Sequence, residues 1–301
     1  MDPVFADIDR QTWNLAPESV KEVLKRSPNV SAIMGVHIFG NPCQVEEMEA
    51  LAREYEIKLI FDAAHALGSE RNGMNIGAFG DVEVFSLSPT KPVVAGEGGI
   101  ISTKNEKLAD ILRYARDYGN KGDYNPEFIG LNARLSELHA ALALGSLEML
   151  EMNITRRNEI ASRYICNLSS IPGVSFQKIE KNDRSTFKDF TILVDGASFG
   201  VSRDILAWWL GRLGIATRKY YFPPVHKVKA YWDRWGVHND AELANTNIVS
   251  ERVLSLPIWS HMETDIVDRV CEAVATAHRD AEEIGTIFDS ETDRHADGGS
   301  M

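Results

Sequence analysis

Lys91 stands between a strand-like run ending in hydroxyl residues, VFSLSPT, and a glycine-bearing stretch, PVVAGEGG. A lysine held in a partly desolvated pocket has a depressed pKa and becomes a nucleophile towards carbonyls. Most lysines are solvated surface charges. A position between a strand end and a glycine turn argues against that here, because glycine lets the backbone approach a ligand closely. Earlier in the chain, FDAAHALGS places Asp62 at the end of an apolar run, before small residues. In open α/β sheets ligands bind beyond the carboxyl ends of strands, and an acid there is placed to meet a cationic ring nitrogen. The competing reading of Asp62 is a helix N-cap. A third stretch, IGLNARLSELHAALALGSLEML, is a glycine-opened loop entering an amphipathic helix. Its leucines and alanines are packing residues, whereas Asn132 and Arg134 lie before the helix and need a separate explanation. Cys43, Cys166 and Cys271 are far apart, with no metal-ligand spacing, so neither a metal site nor a disulfide framework is expected.

Such residues need elements to hold them. Short apolar runs at 4–8, 32–36, 58–61, 82–86 and 99–102 are predicted strands. A helix opened by proline is predicted over 17–26, and apolar residues at helical spacing predict another over 45–55. Strands alternating with helices indicate a parallel α/β sheet. A helix over 106–118, a polar glycine-bearing loop over 119–130 and one or two long helices over 136–168 follow. Beyond Gly173 the pattern changes to a strand at 187–194 and helices at 203–213, 239–254 and 265–284. The expected division is a large domain over 1–153, a small α+β domain over 154–286, and a polar disordered tail over 287–301.

With 44% hydrophobic residues in 301, the chain can bury a sizeable core. Its formal net charge of −12 repels polyanions, so nucleic acid is not an expected partner. Local basic pockets for a small phosphorylated ligand remain compatible with that charge. The opening MDPVFADIDR carries acids where a secretory signal carries basic and then apolar residues, and ILAWWLGRLGIAT is short for a membrane span and contains an arginine. A cytoplasmic protein is expected.

The order and spacing of VHIFGNP, FDAAHALGS, FSLSPTKPVVAGEGG, RDYGNKGDY, GLNARLSELHAAL and YYFPPVH resemble the DegT/DnrJ/EryC1/StrS family of sugar aminotransferases, from about Pro3 to Ile284. The resemblance implies the fold of type I pyridoxal-phosphate (PLP) enzymes, a homodimer, and transfer of an amino group from glutamate to a nucleotide-linked keto sugar. Lys91 then matches the lysine that forms the Schiff base with the cofactor, and Asp62 the acid that keeps its pyridine nitrogen protonated. His65 sits where the family often has glutamine or histidine near the cofactor's phenolic oxygen, and Ser86 matches a hydroxyl that bonds its phosphate. Asn132 matches an asparagine that reaches across the dimer to the partner's phosphate site, while Tyr220, Tyr221 and His226 lie in a motif bordering the substrate cleft.

Against that pattern, the chain starts almost at the strand containing PVFADID. The family's preceding helix and two strands would hold a Gly-Thr turn for the phosphate and an aromatic residue stacked on the ring. Without them, residues 4–8 are expected to be displaced, or to pair directly with 32–36, and the edge beside 99–102 to be bare. Two functional readings follow: a sugar aminotransferase completed by a separate chain that supplies the segment, or a non-catalytic remnant or binding relative. A sugar dehydratase is a third reading, against which Lys91 argues, because such enzymes typically carry histidine there.

Overall fold

The computed structural model describes residues 2–235 and 240–297. The chain forms two compact units. The first comprises Asn14–Ile154 and Ile179–Lys188; the second comprises the residues up to Trp13, Thr155–Lys178, and those from Asp189 on.

The first unit opens with helix α1 (Pro17–Arg26), its proline in the first turn where no backbone donor is lost. Strand β1 (Ala32–Val36), helix α2 (Val45–Glu54) and strand β2 (Lys58–Asp62) follow. A two-stranded hairpin of β3 (Glu70–Arg71) and β4 (Met74–Asn75) precedes β5 (Val82–Ser86), β6 (Gly99–Ser102) and α3 (Glu106–Ala115). The hairpin turns on Asn72-Gly73, both at positive φ (51° and 76°), the turn an Asn-Gly pair favours. Helix α4 (Glu137–Glu148) leads into α5 (Leu150–Leu168), which passes into the second unit after Ile154.

The main sheet has the order β1-β2-β5-β6. β1, β2 and β5 are parallel, and β6 returns antiparallel to β5. Side chains alternate across it. Ile33, Leu59, Phe61 and Phe85 are buried on one face, where α2 packs its Val45, Met48, Leu51 and Ala52 against β1 and β2. The same face holds a buried pair, with His37 Nε2 3.6 Å from Glu83 Oε2. On the other face the register aligns Val36, Asp62, Val84 and Ile101 in one row, all exposed. Parallel sheets are normally covered on both faces.

The second unit is built on an antiparallel sheet of β7 (Val174–Phe176), β8 (Phe190–Val194) and β9 (Val253–Leu256), in that order. Around it lie α6 (Gly196–Phe199), α7 (Arg203–Arg212), α8 (Lys229–Trp235), α9 (Ala244–Arg252), α10 (Thr264–Arg279) and α11 (Ala281–Asp297). From α5, Tyr164 stacks on Phe190 at 4.7 Å and its hydroxyl donates to the Pro257 carbonyl at 2.9 Å.

Several expectations change. Residues 4–8 are not a strand: they group with the second unit, displaced from the sheet, where Asp7 caps α9. Its Oδ2 accepts from Asn245 N at 2.9 Å, and its Oδ1 from Thr246 N and Oγ1 at 2.8 and 2.6 Å. Helix α9 has no cap from its own N-cap residue, Leu243, so this distant carboxylate satisfies its first donors. Residues 253–254, read as the end of a helix, instead open β9 (Val253–Leu256), and β7 was not foreseen. The expected start of that helix at residue 239 lies outside the described residues. Residues 287–297 of the expected tail continue α11, because Phe288 packs edge-on against Trp208 at 5.3 Å and Glu291 pairs with Arg212 of α7. Residues 298–301 lie outside the described residues. Ile179–Lys188 joins the first unit through the hairpin, with Arg71 bonded to Asp183 at 2.9 Å and reciprocal backbone bonds between Glu70 and Arg184 at 2.9 Å.

Candidate active site

Asp62 is the last residue of β2, and Ser86 the last of β5. The two strands are parallel with Asp62 opposite Val84, so both side chains leave the same end and the same face of the sheet. Asp62 is exposed and its Oδ1 accepts a hydrogen bond from Ala64 N at 3.0 Å. That contact closes a turn, and no helix begins there, so the N-cap reading fails. A carboxylate that remains exposed can accept a hydrogen bond from a cationic ring nitrogen.

The turn after Asp62 carries His65, 8% exposed. Its Nδ1 accepts from Phe39 N at 3.2 Å. Burial first, then the charges of Lys91 and Lys188, push this imidazole down to about 3. A neutral ring whose Nδ1 is an acceptor carries its proton on Nε2, which makes that nitrogen a donor. Segment 186–188 clamps the turn: Thr186 Oγ1 donates to the His65 carbonyl at 2.6 Å, and Lys188 N donates to the Phe39 carbonyl at 2.9 Å.

Lys91 lies in the loop joining β5 to β6. The loop is closed at its base by Leu87 N donating to Gly98 O and Ala95 N donating to Leu87 O, each at 2.9 Å. Val94 N donates to Ser146 Oγ of α4 at 2.9 Å, and Val93, Ala95 and Leu87 are buried with Ala143. Lys91 itself is half-buried at the tip, its backbone N bonded to Ser88 O at 3.0 Å. Ser86 Oγ donates to Ser88 Oγ at 3.3 Å, which puts two hydroxyls side by side before the lysine. Gly98, at φ +143°, is fitted to its neighbours: a Cβ there would meet Leu135 Cδ1 at 2.7 Å.

The structure therefore brings Asp62, His65, Ser86 and Lys91 to one end of the sheet in the first unit. Asn132 is exposed before α4, bridged to Asp117 on the stem of the 119–130 loop. Arg134 pairs with Asp117 at 3.4 Å and lies over the Tyr118 ring, which accounts for it structurally. Tyr220, Tyr221 and His226 belong to the second unit. Tyr220 and Tyr221 stack at 4.8 Å, with Tyr221 exposed, and His226 is buried 6.0 Å from the Phe5 ring. Sequence reasoning missed Lys188, which is 7% exposed and close to His65. A lone lysine before an apolar strand carries no signal of its own. No group of three or more metal-binding side chains, and no helix long and apolar enough to cross a membrane, occurs among the described residues.

These residues fit PLP by the chemistry of their donors and acceptors. An exposed carboxylate suits the ring nitrogen, an imidazole N–H the phenolic oxygen, paired hydroxyls the phosphate, and a half-buried amine the aldehyde. The comparisons agree. The model of the DegT/DnrJ/EryC1/StrS aminotransferase family matches residues 1–275. The chain is 31% identical to the dTDP-4-amino-4,6-dideoxy-D-glucose transaminase of Shigella dysenteriae, over 90% of this chain and 72% of the relative. It is 32% identical to the spore coat polysaccharide biosynthesis protein SpsC of Bacillus subtilis, with the same coverage. DesI, crystallised in the presence of its TDP-sugar product, superposes with a TM-score of 0.88 at 33% identity, covering 95% of this chain and 72% of that one. By the family match and by these relatives, the chain belongs to the DegT/DnrJ/EryC1/StrS aminotransferase family, whose enzymes depend on PLP.

Proposed function

We propose that the protein transfers an amino group from glutamate to a nucleotide-linked keto sugar, with Lys91 as the cofactor-binding lysine. The observation that carries this reading is the shared strand end where Asp62, Ser86, His65 and Lys91 meet. Asp62 would hold the ring nitrogen's proton, His65 Nε2–H would bond the phenolic oxygen, and the Ser86 and Ser88 hydroxyls would hold the phosphate. When bound, the cofactor supplies the electron sink for the carbanion at the amino-donor carbon. Lys91 Nζ would hold the cofactor's aldehyde carbon and, as a neutral amine, would move the proton at the amino-donor carbon. The sugar class rests on the relatives' names: the Shigella enzyme is a transaminase of a dTDP-linked sugar, and DesI was crystallised with a TDP-sugar. Tyr220, Tyr221 and His226 are proposed to border the sugar.

Asn132 and the exposed Leu138, Leu142 and Leu144 of α4 support a homodimer in which Asn132 reaches the partner's phosphate site. The exposed row Val36, Val84 and Ile101 beside Asp62 supports a further segment closing that face. It equally suits the second reading, a binding relative that does not turn over. One measurement separates them. Purified chain mixed with PLP should develop the visible absorbance of lysine-bound cofactor, absent in Lys91→Ala, and glutamate should then bleach it. Absorbance without bleaching selects the binding relative; no absorbance sinks the enzyme reading.

A further inference from the structure

Phe39 sits at φ 59°, a left-handed conformation that a bulky residue keeps only when its surroundings impose it. It belongs to the tight turn after β1, from which Phe39 N donates to His65 Nδ1 at 3.2 Å. Two buried side chains hold that turn across its width. Asn14 Oδ1 accepts from Ile38 N at 3.1 Å, and its Nδ2 donates to the Asn41 and Pro42 carbonyls at 3.1 and 2.9 Å. His37 opens the turn, and its Nδ1 accepts from Cys43 N at the far end at 2.9 Å. His37 N also donates to the Asp62 carbonyl at 3.1 Å, so the same residue braces the end of β2. A ring nitrogen that accepts from a backbone N–H carries no proton, which leaves this imidazole neutral with its proton on Nε2. That nitrogen faces Glu83 Oε2 at 3.6 Å; both side chains are fully buried, and neither atom has a hydrogen-bond partner among the described residues. The other carboxylate oxygen, Oε1, accepts from Phe79 N at 2.6 Å. Phe61, opposite Glu83 in the sheet, stacks on the imidazole at 4.8 Å, and a Cβ on Gly35 would meet the Phe61 ring at 2.7 Å, so the stack is closely fitted. Glu83 thus lies between two donors, and a carboxylate presents an acceptor to each. A glutamine there would turn its NH2 on one of them.

We propose that His37 and Glu83 are positioning residues of the cofactor site, linked to it as a relay of tautomers. Glu83 keeps the proton of His37 on Nε2, which leaves Nδ1 to hold the turn. Phe39 N, presented by that turn, keeps the proton of His65 on Nε2, available to the cofactor's phenolic oxygen. Both residues are fully buried on the sheet face opposite Asp62, so they act through His65 and not on the cofactor itself. This rests on the PLP reading above.

The test reads the tautomers directly, from the ring nitrogens of 15N-histidine-labelled protein without cofactor. Affinity for PLP is read separately, by the visible absorbance of the lysine-bound form. In wild type, His37 and His65 should each carry the proton on Nε2. A proton on His37 Nδ1, or a charged His37 ring, overturns the proposal with no variant needed. Glu83→Gln should move the His37 proton toward Nδ1, leave His65 in mixed tautomers and weaken PLP binding roughly tenfold. His37→Leu, which removes the acceptor for Cys43 N, should have the same effect on His65 and on PLP. His37→Asn, whose amide oxygen takes the place of Nδ1, should restore the single His65 tautomer and most of the affinity. Folded variants that are less stable but keep the His65 tautomer and the PLP affinity of wild type overturn the proposal, by making the pair a prop for the fold alone. Weaker PLP binding with an unchanged His65 tautomer also overturns it. Those results, on a wild type that binds PLP, leave the enzyme reading intact. Wild-type protein that binds no PLP fails the enzyme reading itself, and the proposal with it.

Discussion

At the scale of single residues, His65 links the stability of the fold to the chemistry of the site. Its folded pKa lies at about 3 against an ordinary 6.5, through burial and then through Lys91 and Lys188. The sign follows from linkage. The unfolded chain takes up a proton near pH 6.5 and the folded chain does not until about pH 3, so stability is full above the unfolded value and falls as pH drops between them. Between pH 7 and 5 this one group should cost about 2 kcal/mol, at about 1.4 kcal/mol for each unit passed. Urea unfolding at the two pH values should show wild type losing that much more than His65→Gln. Equal losses in the two proteins would falsify the buried neutral imidazole. Asp62, His65, Ser86 and Lys91 were legible in the sequence because each sits in a short motif at a strand end. Segment 186–188, which clamps the His65 turn, was not, since the fold brings it there from far along the chain and no local pattern marks it.

At the scale of elements, legibility followed hydrophobic periodicity. β1, β2, β5 and β6 and helices α1 and α2 lie where apolar runs and helical spacing put them. Residues 4–8 read as a strand for the same reason, yet a strand needs a neighbour, and Asp7 finds a better role capping α9. β9 was hidden because VLSL follows a helix without a turn signal and is identified only by its pairing to β8. The polar face of α11 resembled a disordered tail, but Phe288 and Glu291 tie it to α7. The cap makes a clean prediction. Asp7→Ala leaves the first donors of α9 without that acceptor and should cost about 1–2 kcal/mol, seen as a lower urea midpoint with unchanged slope. Asp7→Asn, which keeps one acceptor oxygen, should recover part of it. An Asp7→Ala protein as stable as wild type would mean that the cap contributes nothing to the second unit.

At the scale of the whole molecule, the first unit exposes more apolar surface than a solitary domain should. Leu138, Leu142 and Leu144 are 80, 59 and 66% exposed on α4, and Ile129 and Leu131 are exposed in the loop before it. Helix α4 is apolar on all sides, as in a helix surrounded by protein, and its polar N-terminal approach carries Asn132. Leu138 and Leu142 lie four residues apart on one face, where a glutamate pair would put two like charges into an interface core normally depleted of charge. Sedimentation of wild-type protein should give a dimer. The Leu138→Glu/Leu142→Glu double variant should sediment as a folded monomer, with its far-ultraviolet circular dichroism unchanged because both positions are exposed in the single chain. If Asn132 serves the partner's site, the monomer should also bind PLP more weakly than wild type. Pyridoxal, which has no phosphate for Asn132 to hold, should lose less. A wild-type monomer would leave the α4 surface to some other partner. A dimeric double variant would move the interface elsewhere and take Asn132 out of the cofactor site with it.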